Sequence, residues 1–153
     1  MSRLALKVPP ALLMLIFGGL MWLTDWLLRE TRLLISGHEV ASALITVLAV
    51  LCVLAGIISF RQARTTVDPL HPERASSMVT SGIYRWTRNP MYLGFVLLLL
   101  AYAVKLSNPV VLVWLPVFVW YMNRFQIIPE EQALKRLFGD QYLHYCRQVR
   151  RWI

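Results

Sequence analysis

The chain has 153 residues, of which 58% are hydrophobic and only 16% are charged, and its mean hydropathy is +0.54. These values exclude a soluble domain of this length and predict an integral membrane protein. The formal net charge is +8, but the basic residues flank apolar runs, so we predict the lipid bilayer, and no nucleic acid, as the partner. Cys52 and Cys146 have no metal-ligand spacing, so we predict packing roles for both and no metal site.

Two long apolar runs open the chain. Residues 9–28 are long enough for about 30 Å of helix, and because no small-residue cleavage site follows them we predict a retained span. Gly18 and Gly19 in this run are predicted to allow close helix contact. Asp25 near its end is predicted to be an interfacial carboxylate that reaches water. Residues 40–60 form the second predicted span.

A polar segment separates these spans from the rest of the chain. Residues 61–89 are predicted to form an extramembrane loop, with Asp-Pro at 68–69 and His-Pro at 71–72 as turn formers. Loops of this length are commonly functional or disordered. We therefore divide the chain into a two-helix scaffold, residues 1–60, and a catalytic region, residues 61–153.

Two further apolar runs, residues 91–104 and 110–125, are predicted to form a helical hairpin. Each follows an Asn-Pro pair, and Asn can cap the first free N–H groups while Pro at the first helical position loses no needed donor. The first arm, about 21 Å long, is shorter than the roughly 30 Å hydrocarbon core.

The C-terminal part of the chain, residues 128–153, is amphipathic and basic. Pro129 is predicted to start a helix with Glu130 and Glu131 in its first turn, and Gly139 with the following Asp is predicted to end it and cap another. The predicted fold class is therefore an all-α integral membrane protein with about four apolar helices, two spans plus a hairpin, and C-terminal amphipathic helices in the cytoplasm.

The distribution of positive charge predicts the orientation. Three of the sixteen Lys and Arg residues, namely Arg29, Arg32 and Lys105, lie between the first two spans or at the hairpin tip. The other thirteen lie in the N-terminal segment, the central loop and the tail. The positive-inside rule then places both termini and the long loop in the cytoplasm.

The junction of the loop with the hairpin is the first candidate site. A helix that begins at Asn89 presents unpaired N–H groups and the positive end of its dipole beside Arg85 and Arg88, which suits a carboxylate or phosphate. The alternative is that Asn89 is only a cap and that the arginines only anchor the loop to lipid headgroups.

The motifs from this junction to the tail resemble one known family. They are Gly82-Ile-Tyr84, Arg88-Asn-Pro-Met-Tyr-Leu-Gly94, Asn108-Pro109, Glu130-Glu131, Leu134, Phe138-Gly139, Tyr142, Tyr145 and Val149. In this order they are similar to the isoprenylcysteine carboxyl methyltransferase family and its bacterial relatives, over roughly residues 76–150. The related phospholipid N-methyltransferases share part of the pattern.

The resemblance implies that S-adenosylmethionine binds between the hairpin and the C-terminal helices, leaves as S-adenosylhomocysteine, and methylates a lipid-like or isoprenoid-like acceptor that enters from the bilayer. The implied cofactor-binding residues are Tyr84, Arg88, Asn89, Pro90, Tyr92, Gly94, Glu130, Glu131, Tyr142 and Tyr145. Either glutamate can pair with the cofactor's ammonium, while Arg88 and the start of the helix can hold its carboxylate.

The same resemblance implies the reaction. A carboxylate acceptor is already an anion at neutral pH and needs no general base, so the catalytic candidates are Arg150 and Arg124, which would orient it, together with Glu131. An amine acceptor would need a base. The short chain is similar to bacterial or archaeal minimal members, which places it in a bacterial inner (cell) membrane.

Two departures from the family pattern concern Asn89, which replaces the usual histidine, and the tail, which lacks the proline of the eukaryotic enzymes. An amide at position 89 excludes a proton-transfer role there. Three alternatives stay open beside carboxylate O-methylation: a phospholipid or amine N-methyltransferase, a membrane reductase that uses NADPH, and a non-catalytic membrane scaffold.

Overall fold

The computed structural model describes residues 6–63 and 77–153, so the two predicted Pro turns at 68–69 and 71–72 lie outside the described residues. Within these two ranges the chain forms α-helices, short 3-10 turns and one π-helical stretch, with no strand. The α-helices are α1 (Pro10–Leu27), α2 (His38–Gln62), α3 (Pro90–Leu106), α4 (Trp114–Tyr121) and α5 (Ile128–Gln148). The predicted all-α membrane fold is confirmed.

Among the residues that the structure describes, three helical runs are long and apolar enough to cross a membrane: α1, α2 and the continuous run Pro109–Gln148. The α3 helix is apolar but shorter, with 17 residues. It is joined to the third run by a tight turn in which the Asn108 side chain accepts a hydrogen bond from the N–H of Val110 at 3.1 Å. The predicted cap at Asn108 is therefore confirmed.

Pro129 does not start a new helix, and this prediction was wrong. The helix continues from α4 through a π-helical stretch, Met122–Ile127, into α5, and Ile127 is itself helical. Proline has no N–H to donate to the carbonyl of Phe125 four residues earlier. That carbonyl instead accepts a hydrogen bond from the N–H of Leu6 at 3.0 Å. The wider π turn and the N-terminal segment together accommodate the proline within the helix.

The run from Pro109 to Gln148 has 40 residues, about twice the roughly 20 residues that a helix needs to cross a hydrocarbon core. Its apolar first half ends near Ile128, so its polar continuation, with both glutamates, lies outside the span. Gly139 interrupts α5 with φ 52° and ψ −126°, which confirms the predicted break.

The α2 and α3 helices pack closely, and two glycines make this packing possible. A Cβ at Gly94 would lie 2.9 Å from the carbonyl oxygen of Ala49 and would overlap Val53. A Cβ at Gly56 would lie 2.7 Å from Cγ of Met91. The helices approach because neither glycine carries a side chain.

We expect Gly94→Ala to lower the free energy of unfolding by about 1–3 kcal/mol, because the added methyl group must displace backbone of α2. Gly18→Ala is the matched control: a Cβ there meets no described atom within 4 Å, so stability should stay within about 1 kcal/mol of wild type. Thermal unfolding in detergent measures both. Equal melting temperatures for the two variants would contradict the packing role of Gly94.

Two predictions about α1 were wrong. Gly18 and Gly19 have no described neighbour within 4 Å of an added Cβ, so they do not bring the described helices of this chain into close contact. Asp25 is buried and does not reach water. Its carboxylate accepts hydrogen bonds from Nε of Arg32 at 2.8 Å and from the amide of Asn108 at 3.3 Å, which ties the end of α1 to the hairpin turn.

Candidate cofactor site

The residues of the candidate site meet where α3 begins, at the polar half of α5 and at the segment that follows it. The N–H of Arg88 donates to the carbonyl of Arg150 at 3.0 Å. The side-chain amide of Asn89 donates to the carbonyl of Arg151 at 2.9 Å, and the Thr87 hydroxyl donates to the same carbonyl at 3.4 Å. These bonds dock the C-terminal segment against the loop that enters α3.

An ion cluster lies at the centre of this junction. Glu131 accepts a hydrogen bond from Arg88 at 2.7 Å on one carboxylate oxygen. Arg151 binds both oxygens of the same carboxylate, at 3.1 and 2.7 Å. The carboxylate of Glu131 raises the pKa of Arg151. A single carboxylate therefore holds two guanidinium groups, one from the loop before α3 and one from the segment after α5.

Arg88 has further partners at the end of α5. Its guanidinium donates to the carbonyls of Cys146 at 3.1 Å and Val149 at 3.0 Å. Its Nε–H is buried and has no hydrogen-bond partner among the described residues. Because an unsatisfied buried donor is costly, this N–H is the group in the cluster that a ligand would satisfy.

Glu130 points away from the ion cluster. Its carboxylate accepts a hydrogen bond from the Tyr92 hydroxyl at 2.9 Å, and the Gln126 amide donates to the same hydroxyl at 3.3 Å. Burial raises the pKa of Glu130 to about 7, although the bond from Tyr92 opposes the shift. The carboxyl group is thus partly protonated at neutral pH and has no described cation beside it.

Three of the four predicted aromatic residues join α5 to the loop. Tyr84, Tyr142 and Tyr145 are buried, and the Tyr145 hydroxyl donates to the carbonyl of Tyr84 at 2.7 Å. Burial raises the pKa of all three phenols. The negative charge of Glu131 raises the pKa of Tyr142 further, which places that ring near the ion cluster.

Asn89 and Gly94 differ from their predicted roles. Asn89 precedes Pro90, the first residue of α3, but its side chain makes no cap bond and instead holds Arg151. The α3 helix therefore begins at Pro90 without the predicted cap from the Asn89 side chain. A side chain at Gly94 would meet α2, as described above, so we assign this residue to helix packing instead of cofactor contact.

The two arginines predicted to orient an acceptor do not join the cluster. Arg124 and Arg150 are exposed, and neither forms an ion pair with a carboxylate in the described ranges. Arg150 contributes its backbone carbonyl to Arg88, while its neighbour Arg151 provides the guanidinium that reaches Glu131.

Sequence reasoning missed Arg151, Thr87 and Gln126. The signal for Arg151 was present in the adjacent arginines of the tail, but which of two neighbours faces a site depends on the local backbone. Thr87 and Gln126 are buried polar residues beside apolar helices. Gln126 could have been found from the sequence, because a polar residue next to an apolar run in a membrane protein often marks a functional site.

Comparisons with known proteins agree with the motifs. The family model for phospholipid methyltransferases matches residues 38–141. Protein-S-isoprenylcysteine O-methyltransferase A of Arabidopsis thaliana is 37% identical over 95 residues, which are 62% of this chain and 48% of the relative. The B protein of the same plant is 33% identical over 93 residues, 61% of this chain and 47% of the relative.

The human protein-S-isoprenylcysteine O-methyltransferase is 37% identical over 73 residues, 48% of this chain and 26% of the relative. The chain thus spans about half the length of the two plant relatives and a quarter of the human one. These matches confirm the resemblance drawn from the motifs. Because the family model covers more than half of the sequence, this protein belongs to the phospholipid methyltransferase family.

Proposed function

We propose that this protein is a membrane methyltransferase that uses S-adenosylmethionine and acts on the carboxylate of a lipid-like acceptor. The observation that carries the proposal is the buried, unpaired Nε–H of Arg88, on a guanidinium otherwise fixed by Glu131 and two carbonyls. A guanidinium that is held in place and whose buried Nε–H lacks a partner among the described residues fits a ligand carboxylate.

Glu130 and Glu131 have different roles in this proposal. Glu131 is already neutralised by Arg88 and Arg151, so it positions those arginines and is a poor partner for another cation. Glu130 has no described cation and has a raised pKa, which the ammonium group of an amino-acid ligand would lower. We therefore assign the cofactor's ammonium to Glu130 and its carboxylate to Arg88.

When bound, S-adenosylmethionine supplies a sulfonium methyl group as the electrophile. The protein's contribution is to hold the reacting groups in line and to exclude water. The buried tyrosines 84, 92, 142 and 145 support that role, because their rings keep the junction of loop, α3 and α5 dry. No residue has to remove a proton when the acceptor is a carboxylate.

The relatives' names support an isoprenylcysteine-like carboxylate as the acceptor. The name of the family favours a phospholipid amine as the second candidate. An amine must lose a proton before it attacks, and Glu130, the described carboxyl with a pKa near 7, is assigned to the cofactor's ammonium. The arrangement therefore favours carboxylate O-methylation.

We further propose that the protein lies in a bacterial inner membrane with the cofactor site in the cytoplasm. The charge distribution supports this orientation, since the loop into α3 and the segment after α5 are the arginine-rich parts of the chain. In this arrangement residues 61–153 form the catalytic region and the first two spans support it.

Calorimetric titration of the detergent-purified protein with S-adenosylhomocysteine, with NADPH as the parallel ligand, tests the proposal. We expect saturable binding of S-adenosylhomocysteine alone. Arg88→Lys keeps a cation beside Glu131 but removes the Nε–H, and should weaken binding at least about tenfold. Arg85→Lys, at an exposed position of the same loop, is the matched control and should bind like wild type.

Other outcomes identify the alternatives. Binding of NADPH alone would support the reductase, and binding of neither ligand by folded protein would support the scaffold. If Arg88→Lys bound S-adenosylhomocysteine as tightly as the wild type does, the Nε–H of Arg88 would not be a contact of the ligand.

A further inference from the structure

A buried chain of hydrogen bonds ends at Glu130. The amide of Gln126 donates to the Tyr92 hydroxyl at 3.3 Å, and this hydroxyl donates to Oε2 of Glu130 at 2.9 Å. The side chains of Tyr92 and Gln126 are almost completely buried, with 5% and 3% of each residue exposed. Water therefore cannot replace the hydrogen bond that either residue makes to its neighbour.

Two helical runs supply this chain. Gln126 lies in the π-helical stretch and Glu130 lies in the first turn of α5, and side chains four residues apart are neighbours on a helix surface. Tyr92 lies in the first turn of α3, and its hydroxyl bonds both of them. Short π-helical stretches inside longer helices are frequent at functional sites. The hydroxyl thus joins α3 to the junction of the π-helical stretch with α5.

The donors and acceptors of the chain determine where the Tyr92 proton points. An amide N–H can only donate a hydrogen bond, and an ionised carboxylate can only accept one. Because the phenolic oxygen of Tyr92 accepts from Gln126, its single proton is directed to Glu130. A hydrogen bond donated to a carboxylate favours the ionised form over the protonated form.

We propose that Tyr92 and Gln126 are positioning residues that hold Glu130 as a carboxylate, with Oε2 bonded to Tyr92 and Oε1 left to receive the cofactor's ammonium group. This inference rests on the proposed function, which assigns the ammonium group to Glu130. Both residues act through Glu130 and do not have to touch the reacting atoms. The bond from Tyr92 also makes Glu130 a weaker base, which agrees with an acceptor that needs no proton removed.

The titratable groups that face Glu130 come from three elements. Burial raises the pKa of Glu130 to about 7, the hydrogen bond from Tyr92 lowers it, and the negative charge of Glu131 raises it. Tyr84 in the loop before α3 also faces this carboxyl, since burial and then the charge of Glu130 raise the pKa of Tyr84. Among these described groups, the Tyr92 hydroxyl is the one that favours the carboxylate.

Carbon-13 NMR of the detergent-purified protein, labelled at its glutamate carboxyl groups, tests the proposal without a ligand. The signal of Glu130 is the one that Glu130→Gln abolishes. Tyr92→Phe keeps the buried ring and deletes the hydroxyl. It should raise the titration midpoint of Glu130 by about one pH unit, because a hydrogen bond to a charged group is lost.

Two further variants accompany this measurement. Gln126→Leu leaves the Tyr92 hydroxyl in place but removes the donor that directs its proton, so the midpoint of Glu130 should rise by less than in Tyr92→Phe. This variant is a second test with Tyr92 intact. Tyr102→Phe removes the same hydroxyl group from a half-buried tyrosine farther along α3. As the matched control, it should leave the midpoint unchanged.

Calorimetric titration with S-adenosylhomocysteine at two pH values tests the connection to the ligand. A higher midpoint makes the carboxylate form scarcer at low pH. Tyr92→Phe should therefore bind about ninefold more weakly than the wild type at pH 6, but only about twofold more weakly at pH 8. A variant that only disturbed the packing would lose the same factor at both pH values. Tyr102→Phe should bind like the wild type at both.

Equal carboxyl midpoints in Tyr92→Phe and the wild type would overturn the proposal, and so would an affinity loss that is the same at pH 6 and pH 8. An unchanged midpoint in Gln126→Leu would show that Gln126 does not act on Glu130. If the folded wild type did not bind S-adenosylhomocysteine, the proposed function itself would be refuted. The carboxyl midpoints of the ligand-free variants would still decide whether Tyr92 and Gln126 stabilise the carboxylate.

Discussion

Glu131→Gln is expected to lower the free energy of unfolding by about 3 kcal/mol, because the change leaves two guanidinium groups without their shared counter-charge. The side chains of Arg88 and Glu131 are only 12% and 18% exposed, so water cannot replace the lost partner. Arg151 is 35% exposed, which is why we place the effect at the lower end of the range for a broken buried pair. A loss of this size lowers the melting temperature by about 6–12 °C in a chain of this length.

Glu130→Gln is the matched control, since it makes the same substitution one residue earlier. The Glu130 carboxyl is already partly neutral at pH 7, and glutamine can still accept the hydrogen bond from Tyr92. We therefore expect this variant to be at least as stable as wild type at pH 8, where the wild-type carboxyl is ionised and buried, while it binds S-adenosylhomocysteine at least about 30-fold more weakly.

The two variants thus separate stability from binding. Thermal unfolding and calorimetric titration on the same preparations measure both quantities. If Glu131→Gln had the same melting temperature as the wild type, the ion cluster would not contribute to docking the C-terminal segment. If Glu130→Gln kept full affinity, the ammonium assignment would be incorrect.

The spans and the break at Gly139 could be predicted because their causes are local. Apolar runs of sufficient length form membrane helices in any context, and Gly139 adopts a backbone conformation that favours glycine. The start assigned to Pro129 was wrong for a non-local reason. The carbonyl that proline leaves unpaired is satisfied by Leu6, a contact across most of the chain that no local pattern encodes.

The residue types of the candidate site could be predicted from the sequence, but the partner that each side chain contacts could not. The sequence indicated Arg88 and both glutamates, yet it left open which glutamate meets the cofactor. Consecutive helical residues point about 100° apart, so Glu130 faces Tyr92 while Glu131 faces the tail. That division follows from how α5 is rotated against α3, which depends on the packing of the whole bundle.

Binding of S-adenosylhomocysteine is expected to be about tenfold weaker at pH 6 than at pH 8. The pKa of Glu130 lies near 7 in the free protein, and a protonated carboxyl must lose its proton before it can pair with an ammonium group. At pH 8 the carboxylate form predominates, whereas at pH 6 about nine-tenths of the molecules carry the proton. Titrations at half-unit intervals of pH measure the profile.

Glu130→Gln should bind weakly with a flat pH profile, because the titrating group is gone. The stability of the wild type should change in the opposite sense. The folded-state pKa of Glu130 lies above its ordinary value of 4.5, so the folded protein holds the proton more tightly, and its contribution to stability falls as pH rises from about 4.5 to 7. A wild-type affinity that does not vary across this range would place the ammonium away from Glu130, whereas affinity that rises with pH while stability falls identifies one carboxyl group as the cause of both.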